Sequence, residues 1–120
     1  VSLTEFLLAR IAEDEARAPL VDQCPYNLGD ITEEEDWAGV HWTSARVLAE
    51  CEAKRRIVAE HAPFERPYYD RAASEFRTGT AGCGRCISDD RDVVDWPCAT
   101  MRALAAVYAD HPDYREEWRA

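Results

Sequence analysis

The sequence predicts a mainly α fold: a small three- to four-helix domain with an irregular metal-binding loop. Three observations predict it. Apolar residues recur at helical spacing in three segments: the N-terminus, residues 43–62 and residues 95–110. Capping residues and prolines bracket those segments. Ahead of the third segment lies Thr78–Trp96, rich in Gly, Asp and Ser, with too few core residues to stabilise itself. With 120 residues, 47% of them hydrophobic, the chain suits one domain, 1–120, with a modest core.

The first helix starts at a capping box, Ser2 with Glu5. Leu3, Leu7 and Ile11, with Phe6 beside them, form its apolar stripe, and Pro19 is expected to end it. Residues 19–42 carry the turn signals Pro25, Asn27 and Gly29 and the acidic run Glu33–Asp36. They read as a surface excursion that lays Trp37 and Trp42 on the core. The clearest helix is 43–62, capped by Thr43 or Ser44 and ended by Pro63, with Val47, Leu48, Cys51, Val58 and Ala62 near one face. Residues 63–79 read as extended around Pro63 and Pro67, then as a short helix near Tyr69–Phe76. The third main helix starts with Asp95 as cap and Pro97 in its first turn, and its apolar face is Met101, Leu104 and Tyr108. A last short helix is expected from Pro112.

The cysteines carry the distinctive chemistry. Cys83 and Cys86 are spaced as in zinc knuckles, and Cys98 follows in the pattern C-x2-C-x11-C. Cys98 falls at a helix start, where the dipole and the free N–H groups favour a thiolate. Three thiolates and one imidazole complete a closed tetrahedral site for structural zinc, although thiolate-rich sites also suit iron. Cys51 and His61 lie ten residues apart in one helix, roughly 15 Å along its axis, so they do not share an ion. Cys51 reads as a core thiol, and Cys24 as a free or partly buried one. His61, at a helix end and free to point toward the loop, is the favoured fourth ligand. His41 is its competitor. His111 lies roughly 20 Å from Cys98 along a helix and reads as a cap or surface residue.

Other chemistry has less support. The chain lacks G-x-G-x-x-G, Walker and H-E-x-x-H patterns. It also lacks the H-x-E of deaminases, since Pro63 and Thr43 stand where that glutamate would be. Asp89–Asp92 and Glu33–Asp36 read as solvated acidic runs, and Lys54-Arg55-Arg56 as a solvated helix face. The late aromatics Tyr108, Tyr114 and Trp118 read first as core, second as a partner patch. A net charge of -10 disfavours general nucleic-acid binding and suggests a basic partner. No apolar run reaches the ~20 residues of a membrane span, and no basic leader opens the sequence, so a cytoplasmic protein with reduced thiols is expected.

The stretches "AECEAKRRIVAEH", "CGRC" and "WPCATMRALAAVYADHPDYREEW" resemble a family of small actinobacterial proteins catalogued only as a domain of unknown function. The resemblance covers the N-terminal helix and residues 46–120, and "YADHPDYREEW" is its most specific part. It implies His61, Cys83, Cys86 and Cys98 as one group, because similar proteins carry His, C-x-x-C and W-P-C in that order. It implies no activity. The expected function is a zinc-stabilised module that binds another protein through the metal loop and the C-terminal aromatics. The alternatives are a metal-dependent enzyme with an open zinc site, and a thiol redox sensor through Cys83 and Cys86.

Overall fold

A computed structural model describes residues 1–23 and 43–119. It corrects the mainly α expectation. Of the described residues, 48% are helical and 24% lie in strands. The order is helix α1 (Leu3–Asp22), helix α2 (Ser44–Glu60), strands β1 (Pro63–Asp70), β2 (Glu75–Ile87) and β3 (Val93–Asp95), helix α3 (Ala99–Ala106) and a 3-10 turn at Glu116–Trp118. The strands form one antiparallel sheet in the order β1-β2-β3.

The first two helices begin as their caps dictate. The Ser2 backbone N–H donates to Glu5 Oε2 (2.7 Å) and the Glu5 backbone N–H to Ser2 Oγ (3.2 Å). Leu3, Phe6, Leu7 and Ile11 are buried as a stripe, with Arg10 and Ala18 beside them. The helix does not stop at Pro19; it runs on to Asp22 with Pro19 in its last turns. Thr43 caps α2 through Arg46 N–H (3.2 Å). Cys51 and Val58 are buried, Val47 is half-buried, but Leu48 is exposed. The run Lys54-Arg55-Arg56 is not simply a solvated face. Arg55 makes a two-bond fork with Glu15 of α1 (2.8 and 2.7 Å), and Lys54 lies 3.8 Å from Asp14. Only Arg56 stays on the outside, paired with Glu52.

The late aromatics form core. Trp118 is buried, and Tyr108, His111, Tyr114 and Trp118 surround Phe6 with ring centroids 4.9–6.3 Å away. The third helix is shorter than expected: Asp95 belongs to β3, and helical structure starts only after Cys98. The last helix reduces to the 3-10 turn.

The larger correction is at residues 63–87, which form a hairpin. Tyr69 and Phe76, expected in one short helix, are cross-strand partners with ring centroids 5.2 Å apart. Between them the chain reverses at Arg71–Ser74. Asp70 Oδ1 accepts from Ala72 and Ala73 N–H, and Ser74 takes the left-handed φ of 53°. Thr78 pairs with Pro67 and Ala81 with Glu65, so two residues, Gly79 and Thr80, stand opposite Arg66. That bulge has a directional effect: with one extra residue in β2, Phe76, Thr78, Ala81 and Cys83 share one face with Tyr69, Pro67, Glu65 and Pro63. Arg66 crosses the other face and ties the three strands together. It donates to Thr80 O (3.1 Å) and Val93 O (3.2 Å) and pairs with Asp95. The stretch expected as an irregular loop is thus mostly sheet; among its residues, 88–92 form a turn that is exposed at 89–92.

Candidate metal centre

The base of the hairpin meets both later helices at one point. His61 is the C-cap of α2, with its backbone N–H bonded to Ile57 O (3.0 Å). Two residues on, β1 begins, with Pro63 paired to Cys83. Cys83 and Cys86 bracket the turn of a knuckle at the end of β2. Gly84 N–H bonds Ala62 O (3.0 Å), which pins that knuckle to the residue after His61. A Cβ on Gly84 would stand 3.1 Å from the same oxygen, so the close approach favours glycine. Cys98 is the N-cap of α3, and its side chain makes no capping hydrogen bond, leaving the sulfur to face the others.

The result is four donor atoms in one cluster. His61 Nδ1 lies 3.3 Å from Cys83 Sγ, 3.4 Å from Cys86 Sγ and 3.4 Å from Cys98 Sγ. All four donors lie within 4.8 Å of one another. A tetrahedral ion with Zn–N near 2.05 Å and Zn–S near 2.3 Å requires an N···S separation of about 3.5 Å. The cluster therefore has the size and the donor set to hold a metal ion. Cys83 and Cys98 are buried, and His61 and Cys86 are half-buried.

The electrostatics of the cluster are those of sulfurs competing for charge. Burial pushes the Cys83 thiol up, but N–H groups of Arg85 and Cys86, with His61 and Cys98, outweigh it and bring it down to about 7. Cys86 is pushed up to about 12, by burial first and then by the Cys83 and Cys98 sulfurs beside it. One thiolate is favoured and it suppresses the next. A divalent cation removes that conflict, because a coordinating thiol loses its proton outright.

Each candidate among the described residues has a definite place. His61, Cys83, Cys86 and Cys98 come together. Cys51 is buried between α1 and α2, where burial raises its pKa, as expected of an inert core thiol. His111 packs edge-on against Phe6, with Arg10 Nη1 2.7–2.8 Å from its ring nitrogens. His41 and Cys24 lie outside the described residues, as do Trp37, Trp42 and the acidic run 33–36. Asp89–Asp92 are exposed. Sequence reasoning missed one orienting residue. Trp96 Nε1–H donates to His61 O (3.0 Å), and its backbone N–H donates to Ala81 O (3.0 Å). The signal was available, since Trp96 stands two residues before a candidate ligand and an indole N–H needs a partner when it is packed away from water.

Fold and site define a small mixed α and β protein in which a His and three Cys from a helix end, a strand knuckle and a helix start could hold a metal ion. The chain belongs to a family of unknown function (DUF6221), which matches residues 1–120. Neither a curated protein nor a solved structure matches it. Among the described residues no helix is long and apolar enough to cross a membrane.

Proposed function

We propose that this chain is a zinc-stabilised module that acts by binding another protein, with His61, Cys83, Cys86 and Cys98 as the ligands of one structural zinc. The observation that carries the reading is the single imidazole nitrogen 3.3–3.4 Å from three sulfurs. Cys3His is a common closed zinc set, and zinc is favoured over iron on that ground. Four protein donors fill a tetrahedral shell. No position is left for the water that a hydrolytic zinc enzyme needs, so the site's energy goes into folding. The acidic surface favours a basic partner, and a cytosolic setting would keep the three thiols reduced for the metal.

Metal content of the purified protein tests this, measured beside Cys83→Ser and His61→Ala. About one zinc per chain is expected in the parent, lost in both variants together with the order of the sheet that the ligands tether. Zinc retained in His61→Ala would reopen His41 or a water as fourth ligand, and with it the enzyme. Absence of any metal would refute the zinc reading, and the redox state of Cys83 and Cys86 would then decide for the thiol sensor.

A further inference from the structure

Apart from Arg66, which reaches β3, the hairpin outside its base is exposed on both faces among the described residues. From Phe64 to Tyr69 and from Glu75 to Thr78 only Arg66 is even half-buried. A two-stranded ribbon standing alone in water is marginally stable at best. Its two faces also differ. One carries Tyr68, Asp70, Glu75 and Arg77, with Arg77 paired to Asp70 (3.1 Å) and Glu75 (3.0 Å). The other, from Pro67 outward, carries Pro67, Tyr69, Phe76 and Thr78 and no charge. On that face Tyr69 is 51% and Phe76 75% exposed. It is the alternation of an amphipathic sheet whose apolar side lacks a cover among the described residues.

We propose that the cover is a second copy of this chain, the two hairpins meeting face to face about a two-fold axis through the Tyr69–Phe76 surface. This rests on the protein-binding reading above and names for this uncharged face a partner other than the basic one that the acidic body favours.

Charge supports a twin. Residues 63–79 hold three acids (Glu65, Asp70, Glu75) and three bases (Arg66, Arg71, Arg77), so the arm is neutral and the net charge of -10 sits elsewhere. Two uncharged faces meet without opposing like charges, as an isologous contact requires. A basic partner drawn by the acidic body would find no counter-charge on this face. An eight-residue strand, about 26 Å long, also holds the acidic bodies apart.

Area sets the strength. At roughly 150–250 Å² per aromatic side chain, the exposed parts of Tyr69 and Phe76 with Pro67 and Thr78 come to about 350 Å² per copy. A dimer then buries about 700 Å², in the range of weak, reversible association. Its salt dependence has a definite sign. The bodies repel, so screening strengthens the dimer, whereas a contact between opposite charges would weaken.

Sedimentation equilibrium on the full, zinc-loaded chain tests the proposal, from about 10 µM to about 500 µM, where an interface of this size should associate. The parent is expected to pass from monomer to dimer, and to do so at lower concentration as salt rises. Tyr69→Ser with Phe76→Ser should stay monomeric at unchanged zinc content. Thr78→Lys keeps both aromatics but sets two cations against each other across the axis, and should weaken the dimer at least about tenfold. A parent that remains monomeric throughout, or a dimer that survives in Thr78→Lys, would overturn it. A parent without zinc that still dimerises through this face would instead count against the metal reading alone.

Discussion

Tyr108, in the turn after α3, is where one hydroxyl joins that turn to α1 and α2. Its O–H donates to Asp14 Oδ2 of α1 (2.6 Å) and accepts from Lys54 Nζ of α2 (3.3 Å), while its ring edge meets Phe6. The apolar spacing Met101, Leu104, Tyr108 was legible and placed the ring on the core. The hydroxyl's partners were not, because they lie 94 and 54 residues away and no local pattern encodes them. Tyr108→Phe should cost about 1–2 kcal/mol in chemical denaturation, since it removes a hydrogen bond to a carboxylate that stays half-buried. Burial first, then Asp14, raises the phenol's pKa above its ordinary 10.0. The unfolded chain therefore releases this proton first. The stability it contributes is whole below about pH 10 and is lost as pH rises toward the folded value. Tyr108→Phe should accordingly have a shallower alkaline limb than the parent. Equal slopes would mean that the phenol does not titrate differently in the two states.

The helices were readable from the sequence because each buries a stripe at its own period, and α1 and α2 also start at side-chain caps. The hairpin was not, and its composition explains why. Strand recognition relies on alternate residues facing a core, yet β1 and most of β2 face solvent on both sides. Prolines at 63 and 67 and glycines at 79, 82 and 84 look like loop punctuation, whereas here the prolines occupy an edge strand and the glycines allow close approach. Gly79 is the sharpest case. A Cβ there would stand 2.7 Å from Arg66 O, inside the bulge that turns Cys83 onto the face of Phe76. Gly79→Ala should destabilise the hairpin by about 1–3 kcal/mol. Faster hydrogen exchange should follow at the amides of 64–70 and 75–82, with α1 and α2 protected as before. Unchanged exchange across the hairpin would show that the bulge relaxes around a methyl group.

At the scale of the molecule, the cluster joins parts with little else to hold them. The three proposed cysteine ligands were legible because their spacing is chemical rather than structural, C-x2-C and then a cysteine at a helix start; His61 was favoured from its place at a helix end, with His41 as competitor, and only the family resemblance grouped all four. The parts they link are of two kinds. The α1–α2 pair has its own fastenings in Cys51, Val58 and the Arg55–Glu15 fork, and the Phe6 aromatic cluster ties α1 to the C-terminal segment. The sheet has few buried residues besides Gly82 and Cys83, and it is tethered to the helices through His61, Cys98, the Gly84–Ala62 bond and the Trp96–His61 bond. A structural zinc contributes on the order of 10–16 kcal/mol in small zinc-folded peptides, comparable with the whole stability of a domain, about 5–15 kcal/mol. Removing the proposed ion should therefore act unevenly. After addition of a strong chelator, amides of 81–98 should lose protection first and by the largest factor. Those of the α1–α2 pair should follow only as global stability falls, and restoring zinc should reverse the order. Simultaneous loss everywhere would mean that the helical pair cannot stand without the clamp. No response at either place would mean that the four side chains hold the sheet without a metal, through packing and hydrogen bonds alone.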